Sequence, residues 1–127
     1  MSLPLHVLLL ACAGAAGSLI RAGCTLLADR LLGPAFPWGT LAVNVAGSFA
    51  FGAIVALTRA RDLHGSPHEA ILLVGLLGGF TTYSSFAFQS VDLLAHGRPA
   101  AAVFYIAATN LASLAAVWVG LRAFGQA

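Results

Sequence analysis

Four long stretches of the sequence contain no charged side chain, apart from one arginine inside the first, and they constrain the fold more than any other feature. The stretches cover residues 3–28, 38–58, 70–91 and 99–121, and the arginine is Arg21. Each is close to the roughly 20 apolar residues that an α-helix needs to cross a bilayer. The connecting segments carry the charges together with glycine and proline, which end helices. The sequence therefore predicts an all-α integral membrane protein with four transmembrane helices.

The predicted helices form a single domain over residues 1–127. Their expected bounds are about 3–28, 38–58, 70–95 and 99–122. Composition agrees with a membrane location, because 60% of the residues are hydrophobic and 8% are charged, whereas roughly a quarter are charged in a soluble domain. A net charge of +2 without a basic run excludes a nucleic-acid partner and leaves membrane lipid. Arginine without lysine is typical of a GC-rich bacterial genome, so we expect a multi-pass protein of a bacterial plasma (inner) membrane.

The arginines give almost no signal for the orientation of the chain in the membrane. Four spans place Arg59, Arg61 and Arg122 on one side, and the other side holds Arg30 and Arg98. The positive-inside rule needs a clear bias, and three against two is hardly one. One interpretation is a small protein with a weak topology signal. The other is insertion in both orientations, which would allow an antiparallel, dual-topology homodimer.

The middle of the third span has a poor sequence for a helix. Residues 75–86 read GLLGGFTTYSSF, and glycine, threonine and serine are weaker helix formers than alanine or leucine. We therefore expect the third helix to be broken in mid-membrane. Carbonyl groups freed by a break must find other partners, and they would form a cation site. Close helix packing through Gly75 and Gly79 is the alternative, and the two interpretations are compatible.

Two other spans carry polar side chains at helical spacing. These are Thr40, Asn44 and Ser48 in the second span, and Tyr105, Thr109 and Ser113 in the fourth. Residues at i, i+4 and i+8 lie on one face of a helix, so each set forms a stripe. A polar stripe in a membrane helix is either a helix interface or a pore wall. Spacing alone does not decide between them.

Donor groups without a fixed positive charge surround the expected break. Tyr83 and Phe86 share a helix face and alternate with hydroxyl side chains, and an aromatic ring is electropositive at its edge. Together with the Asn44 amide, these groups suit a small, strongly hydrated anion that must lose water without being trapped. Arg21 is the one charge inside a span. Its side chain either reaches the membrane surface or forms a positive vestibule that attracts anions.

These residues together resemble the CrcB/Fluc family of fluoride channels over nearly the whole chain. The matching segments are 17–21 (GSLIR), 36–41 (FPWGTL), Asn44, 47–49 (GSF), 78–86 (GGFTTYSSF) and the stripe of Tyr105, Thr109 and Ser113. The strings P-W-G-T-L-x-V-N and G-G-x-T-T-x-S-x-F within one four-span protein make the match specific.

The resemblance implies a passive, fluoride-selective channel, not an enzyme, that exports fluoride and so lowers its concentration and toxicity in the cytoplasm. It also implies an antiparallel dual-topology homodimer with two pores. A structural sodium ion (Na+), not transported, would lie at the dimer centre on the backbone carbonyls of Gly78 and Thr81. The implied fluoride-pore residues are Thr40, Asn44, Tyr83, Ser85, Phe86, Tyr105, Thr109 and Ser113.

The chain departs from the family pattern in three places, at residues 83, 89 and 109–110. Tyr83 stands where the family usually has phenylalanine, and Gln89 replaces an acidic residue. Thr109 stands in place of serine, followed by Asn110 where a small residue is usual. A phenol at position 83 keeps the ring edge and adds a donor, so we expect it to affect the conduction rate more than the fold.

Two alternative functions remain open from the sequence. The Tyr83 departure is compatible with a non-conducting partner subunit of a heterodimeric channel. A small multidrug or guanidinium exporter also has four spans and dual topology, but that class needs a glutamate embedded in the membrane. The sequence has one glutamate, Glu69, at the start of the third span.

Overall fold

The computed structural model describes residues 1–125, and the regular structure of this part of the chain is entirely helical. Helix α1 covers Leu3–Leu32, α2 covers Trp38–Ala60 and α5 covers Pro99–Phe124. The third span, Pro67–Ala95, is divided into α3 (67–80) and α4 (Tyr83–Ala95). All four spans are long and apolar enough to cross a membrane. The predicted all-α fold with four transmembrane helices is confirmed.

The helices extend further than their charge-free stretches, most clearly at the end of α1. The charge-free stretch predicted an end at about residue 28, but Asp29 and Arg30 both lie within α1, which ends at Leu32. It stops where Gly33 adopts a φ of 82° and Pro34 follows. Proline disfavours helical backbone in the residue before it, so the Gly-Pro pair ends the helix and the charged residues do not.

The third span also begins earlier than expected, at Pro67. Ser66 precedes it, and its side chain accepts a hydrogen bond from the Glu69 backbone N–H at 3.2 Å. Serine is a favoured N-cap, and proline suits the first helical position. After one α-helical turn, Ile71–Leu77 is π-helical, and Gly78–Phe80 returns to α-helix.

Within the weak helix formers of residues 75–86, the third span is interrupted at the two threonines and not at the glycine pair that precedes them. Gly78 and Gly79 are still helical, whereas Thr81 and Thr82 have extended backbones with ψ of 160° and 112°. Thr82 then caps α4, because its Oγ1 accepts a hydrogen bond from the Ser85 N–H at 3.2 Å. Threonine in the extended region is a regular N-cap. The break is therefore the end of α3 followed by a second helix, α4, with its own N-cap.

Glycines allow the helix backbones to approach each other closely. Helix α1 packs mainly on α3, and α2 packs mainly on α5. A Cβ atom at Gly17 or Gly79 would overlap a backbone carbonyl of the facing helix, and one at Gly75 would lie 2.9 Å from the Ala13 Cβ. Gly52 of α2 would likewise overlap the backbone of α5. The small-residue packing proposed for Gly75 and Gly79 is thus present beside the break.

Large apolar side chains face outward, and polar ones lie inside. Leu3, Leu19 and Leu31 are more than 70% exposed, whereas Thr40 and Tyr105 are buried. This distribution is expected when the surrounding solvent is lipid, because polar groups in hydrocarbon must be satisfied within the protein.

Hydrogen bonds to the Glu69 carboxylate stabilise the connection between α2 and α3. Glu69 is 5% exposed, and its Oε1 accepts a hydrogen bond from the Thr58 hydroxyl at 2.6 Å. The same oxygen lies 3.0 Å from Nδ1 of His64, and Oε2 accepts from the Gly65 N–H at 2.6 Å. This carboxylate is held by the hairpin at one end of the bundle. It lacks the mid-membrane placement that a proton-exchanging glutamate needs.

Candidate functional site

A cavity of about 440 Å³ opens on one side of the bundle, between α2, the third span and α5. Its lining includes these predicted site residues: Asn44, Gly78, Thr81, Tyr83, Phe86, Thr109 and Ser113. Residues that are far apart in sequence therefore face one space. Thr40, Ser85, Tyr105 and Arg21 are not part of its lining as far as residues 1–125 are concerned.

Two hydroxyl groups on the α5 side of this cavity are unpaired. Thr109 Oγ1 and Ser113 Oγ are buried and have no hydrogen-bond partner within residues 1–125. Elsewhere in the bundle such hydroxyls bond to their own helix, as Ser90 does to the Phe86 carbonyl at 2.7 Å. A buried hydroxyl without a partner costs roughly 1–3 kcal/mol. Both hydroxyls therefore keep an unused donor, and both belong to residues that line the cavity.

Two aromatic side chains of α4, Tyr83 and Phe86, also line this cavity. The Phe86 side chain is 7% exposed, and its ring centroid lies 5.6 Å from that of Tyr83 and 5.3 Å from that of Tyr105. Tyr83 itself is 78% exposed on the open side of the cavity. Tilted rings present their edges as well as their faces, and the edges carry the positive part of the ring quadrupole.

Tyr105 lies behind Phe86 and connects the first cavity to a second one. It is fully buried, and its hydroxyl donates to Gln89 Oε1 at 2.8 Å, with the Thr40 side chain beside it. Gln89 in turn lines a cavity of about 310 Å³ at one end of the bundle. That cavity is also lined by Asp29, Asp92, His96 and Arg98. The Phe86–Tyr105–Gln89 contacts therefore form a continuous line between the two spaces.

Asn44 is bonded to the backbone of the helix break. Its Oδ1 accepts from the Thr82 N–H at 2.8 Å, and its Nδ2 donates to the Thr82 carbonyl at 3.1 Å. One amide thus satisfies both backbone groups of an extended residue, as a neighbouring strand would. Arg21 approaches the break from α1, and its Nε donates to the Gly79 carbonyl at 3.0 Å.

The two carbonyls predicted to hold a cation have both lost their helical partners. In a continuous helix, Gly78 would accept from the Thr82 N–H and Thr81 from the Ser85 N–H. Here the first N–H bonds to Asn44 and the second to the Thr82 hydroxyl. Carbonyl oxygens freed in this way are the donor type that an alkali cation takes from protein. The chemistry at Gly78 and Thr81 therefore fits a sodium ion.

The structure adds three residues that the sequence analysis did not select as site residues. Ser48 and Asn110 line the larger cavity, and Thr82 makes the hydrogen bonds that organise the break. Ser48 belongs to the Thr40 stripe, so spacing could have indicated it. Thr82 could have been found as a capping residue three positions before Ser85.

A family model for CrcB-like protein, Camphor Resistance (CrcB), matches residues 8–121, which include every candidate residue described above. The chain belongs to the CrcB-like family. A relative from Agrobacterium fabrum, named fluoride-specific ion channel FluC, is 47% identical over 118 residues, which cover 92% of this chain and 94% of the relative.

Other members of the CrcB-like family give the same result. A Rhizobium etli protein of the same name is 44% identical over 117 residues, with 92% of this chain and 94% of the relative covered. One from Paracoccus denitrificans is 48% identical over 109 residues, with 85% of each covered. With bacterial relatives and four membrane-spanning helices, the chain is a multi-pass protein of the bacterial inner membrane.

Proposed function

We propose that this chain forms a fluoride-selective channel through which fluoride leaves the cytoplasm passively, so that its concentration and toxicity there fall. The observation that carries the proposal is the pair of buried hydroxyls, Thr109 and Ser113, which lack partners within residues 1–125 and line a cavity beside Phe86. The name fluoride-specific ion channel, given to relatives up to 48% identical, supports the choice of ion.

The donor set accounts for both entry and release of the ion. Fluoride is small and strongly hydrated, so each lost water must be replaced by another donor. The hydroxyls of Thr109 and Ser113 and the ring edges at positions 83 and 86 are such donors, and none carries a full positive charge. Conduction needs binding that is favourable enough to enter and weak enough to leave. Chloride is larger and a weaker hydrogen-bond acceptor, so it fits less well among these donors and gains less from them.

The remaining pore assignments follow the same chemistry. Ser85 Oγ accepts from the Thr82 hydroxyl at 2.9 Å, which leaves its own O–H hydrogen for the ion. Asn44 lines the cavity, while Thr40 and Tyr105 extend the path behind Phe86 towards Gln89. Among residues 1–125, the Arg21 guanidinium donates through Nε to the Gly79 carbonyl and makes no other hydrogen bond, so its other N–H groups would attract anions in a vestibule.

An antiparallel homodimer would complete this site. The cavity is open on its side, and lipid there would face the hydroxyls and amides of its wall, which is unfavourable in hydrocarbon. A second copy is the simplest cover, and the near balance of arginines, three against two, supports insertion in both orientations.

A structural sodium ion belongs to the same proposal. The carbonyls of Gly78 and Thr81, which have lost their helical N–H partners, would hold it. Bound there, sodium would supply the positive charge that satisfies backbone oxygens in the membrane interior and would not be transported.

Growth of bacteria tests the proposed export. The chain is expressed in a strain that lacks its own fluoride exporter, and growth is followed at increasing fluoride concentration. We expect the chain to restore growth where the empty vector does not. Absence of rescue with verified membrane insertion would contradict the proposal, and rescue only with a second, different subunit would favour the non-conducting-partner alternative.

A further inference from the structure

We infer that Asn44 is a positioning residue for the cation site: by binding the backbone of Thr82, it keeps the Gly78 carbonyl free to hold the ion. The inference rests on the proposed sodium site and assigns to a side chain of α2 the control of an oxygen in the third span. The positioning role is additional to lining the pore. Both amide atoms of Asn44, Oδ1 and Nδ2, are hydrogen-bonded to the Thr82 backbone.

Two acceptors, Asn44 Oδ1 and the Gly78 carbonyl, compete for the Thr82 N–H group. The Thr82 N–H would donate to the Gly78 carbonyl if the helix continued. It donates instead to Asn44 Oδ1 at 2.8 Å, a normal hydrogen-bond length. Without the amide, this N–H would have no partner in its extended conformation, and the nearest way to satisfy it is to close the helical turn on Gly78.

The Asn44 amide also makes a second hydrogen bond to the backbone of the same residue, Thr82. Asn44 Nδ2 donates to the Thr82 carbonyl at 3.1 Å, so both backbone groups of the extended residue are satisfied by one side chain. Unsatisfied backbone groups are strongly unfavourable in a membrane interior. The extended conformation of Thr82, with φ of −152° and ψ of 112°, therefore depends on α2.

Packing holds α2 at the distance that this contact needs. A Cβ at Gly47, three residues after Asn44, would overlap Thr81 Cγ2 and lie 3.2 Å from the Phe80 ring. The backbone of α2 is thus in direct contact with the break. From α1, Arg21 Nε donates a hydrogen bond to the Gly79 carbonyl at 3.0 Å. The two neighbouring helices thus bind the Thr82 backbone and the Gly79 carbonyl, while the Gly78 and Thr81 carbonyls are without their helical N–H partners.

The sequence allows the Gly78 carbonyl to be observed by itself. Gly78 and Gly79 are the sole Gly-Gly pair in the chain, so labelling glycine with carbonyl ¹³C and amide ¹⁵N gives a single ¹³C–¹⁵N correlation, from the Gly78 carbonyl. We would follow it by magnetic resonance in lipid vesicles while Na+ replaces N-methylglucamine. The wild-type resonance is expected to move with Na+.

The decisive comparison is Asn44→Leu, which keeps the approximate shape and removes both hydrogen bonds. Removing a group that orients a metal ligand typically lowers metal affinity roughly ten- to hundredfold, and we expect the Na+ midpoint to rise by that factor. Thr25→Val is the control, since Thr25 lies in α1, outside the described lining of the cavity, and its hydroxyl is bonded to the Ala22 carbonyl of its own helix. It should titrate like the wild type. If Asn44→Leu does not fold, Asn44→Ala removes the same bonds without bulk.

The possible outcomes separate the two claims. A folded Asn44 variant with the wild-type Na+ midpoint would overturn the positioning role and leave the sodium site intact. A wild-type resonance that is indifferent to Na+ would remove the sodium site itself and the inference with it. Neither result depends on fluoride transport.

Discussion

Two side chains that line this site have hydroxyls that the described part of the chain leaves unpaired. Thr109 Oγ1 and Ser113 Oγ are buried without a partner in the described part of the chain, although a helical threonine can bond to its own backbone, as Thr25 does to Ala22 at 2.9 Å. Each such hydroxyl destabilises the fold by roughly 1–3 kcal/mol. A ligand that accepts hydrogen bonds would recover this free energy. Stability and conduction should therefore respond in opposite directions when a hydroxyl is removed.

Thr109→Val tests this opposition, because valine keeps the shape and deletes the hydroxyl. We expect the free energy of unfolding to rise by about 1 kcal/mol and the rate of fluoride efflux to fall about tenfold, the equivalent of one hydrogen bond of ~1.4 kcal/mol. The measurements are denaturation in detergent and efflux from vesicles.

The control for that experiment is Thr25→Val, the same chemical change in α1. The Thr25 hydroxyl is already bonded to the Ala22 carbonyl at 2.9 Å. This variant should conduct like the wild type and gain no stability. An equal loss of efflux in both variants would contradict a specific role for the Thr109 hydroxyl.

Tyr83→Phe should increase the rate of fluoride efflux. The Tyr83 ring is on the open side of the cavity, and its phenol adds a donor to the ring edge. Hydrogen bonds to charged groups contribute about 1.5–3 kcal/mol, so a strong donor slows release of the ion. Initial efflux rates from vesicles measure the effect. A slower Tyr83→Phe channel would mean that the phenol assists passage.

At the level of the helices, the sequence predicted the four spans well. It predicted the exact position of the break in the third span less well. The four spans could be read from their charge-free lengths, and the break from the weak helix formers of residues 75–86. The position of the break at Thr81 and Thr82 could not, because it depends on side chains of other helices. Asn44 captures the Thr82 N–H, and Arg21 satisfies the Gly79 carbonyl.

In the candidate site, too, the sequence predicted the polar stripes but not the contacts between helices. Polar spacing placed Asn44, Thr109 and Ser113 on two stripes, and the cavity brings these stripes together. Spacing could not place Tyr105 behind Phe86 or pair it with Gln89. Those contacts are set by how the fourth span packs against α4, which a pattern within one helix does not encode.

Gly17→Ala should destabilise the contact between α1 and the break. An added Cβ would overlap the Leu76 carbonyl and lie 2.9 Å from the Phe80 nitrogen. Overpacking of this kind costs typically about 1–3 kcal/mol, measurable as a lower unfolding midpoint in detergent.

Gly23→Ala, in the same helix, provides the comparison for Gly17→Ala. A Cβ at Gly23 meets nothing within 4 Å, and alanine favours a helix over glycine by about 1 kcal/mol. It should be neutral or stabilising. If the two variants unfold alike, the close approach of α1 to the third span is not important for stability.

For the whole molecule, the open side of the cavity and the balance of arginines lead to one expectation about topology. Three arginines on one side against two on the other favour neither orientation strongly. We predict that the C-terminus is found on both sides of the membrane in one cell population. Two C-terminal reporters, one active only in the cytoplasm and one only outside it, measure this directly. A signal from a single side would contradict the antiparallel dimer.

The central claim is that fluoride passes along the wall formed by Phe86 and the unpaired hydroxyls. Its most direct test is efflux from vesicles that contain the purified chain and are loaded with fluoride or chloride, recorded with ion-selective electrodes. Three proteins are compared: the wild type, Phe86→Leu, and Phe88→Leu. The last is the matched control, because Phe88 is 70% exposed on the same helix whereas Phe86 is 7% exposed.

We predict rapid fluoride efflux and retained chloride for the wild type and for Phe88→Leu, and efflux near that of empty vesicles for Phe86→Leu. Folded wild-type protein that releases no fluoride above empty vesicles, or a Phe86→Leu channel as fast as the wild type, would contradict the account.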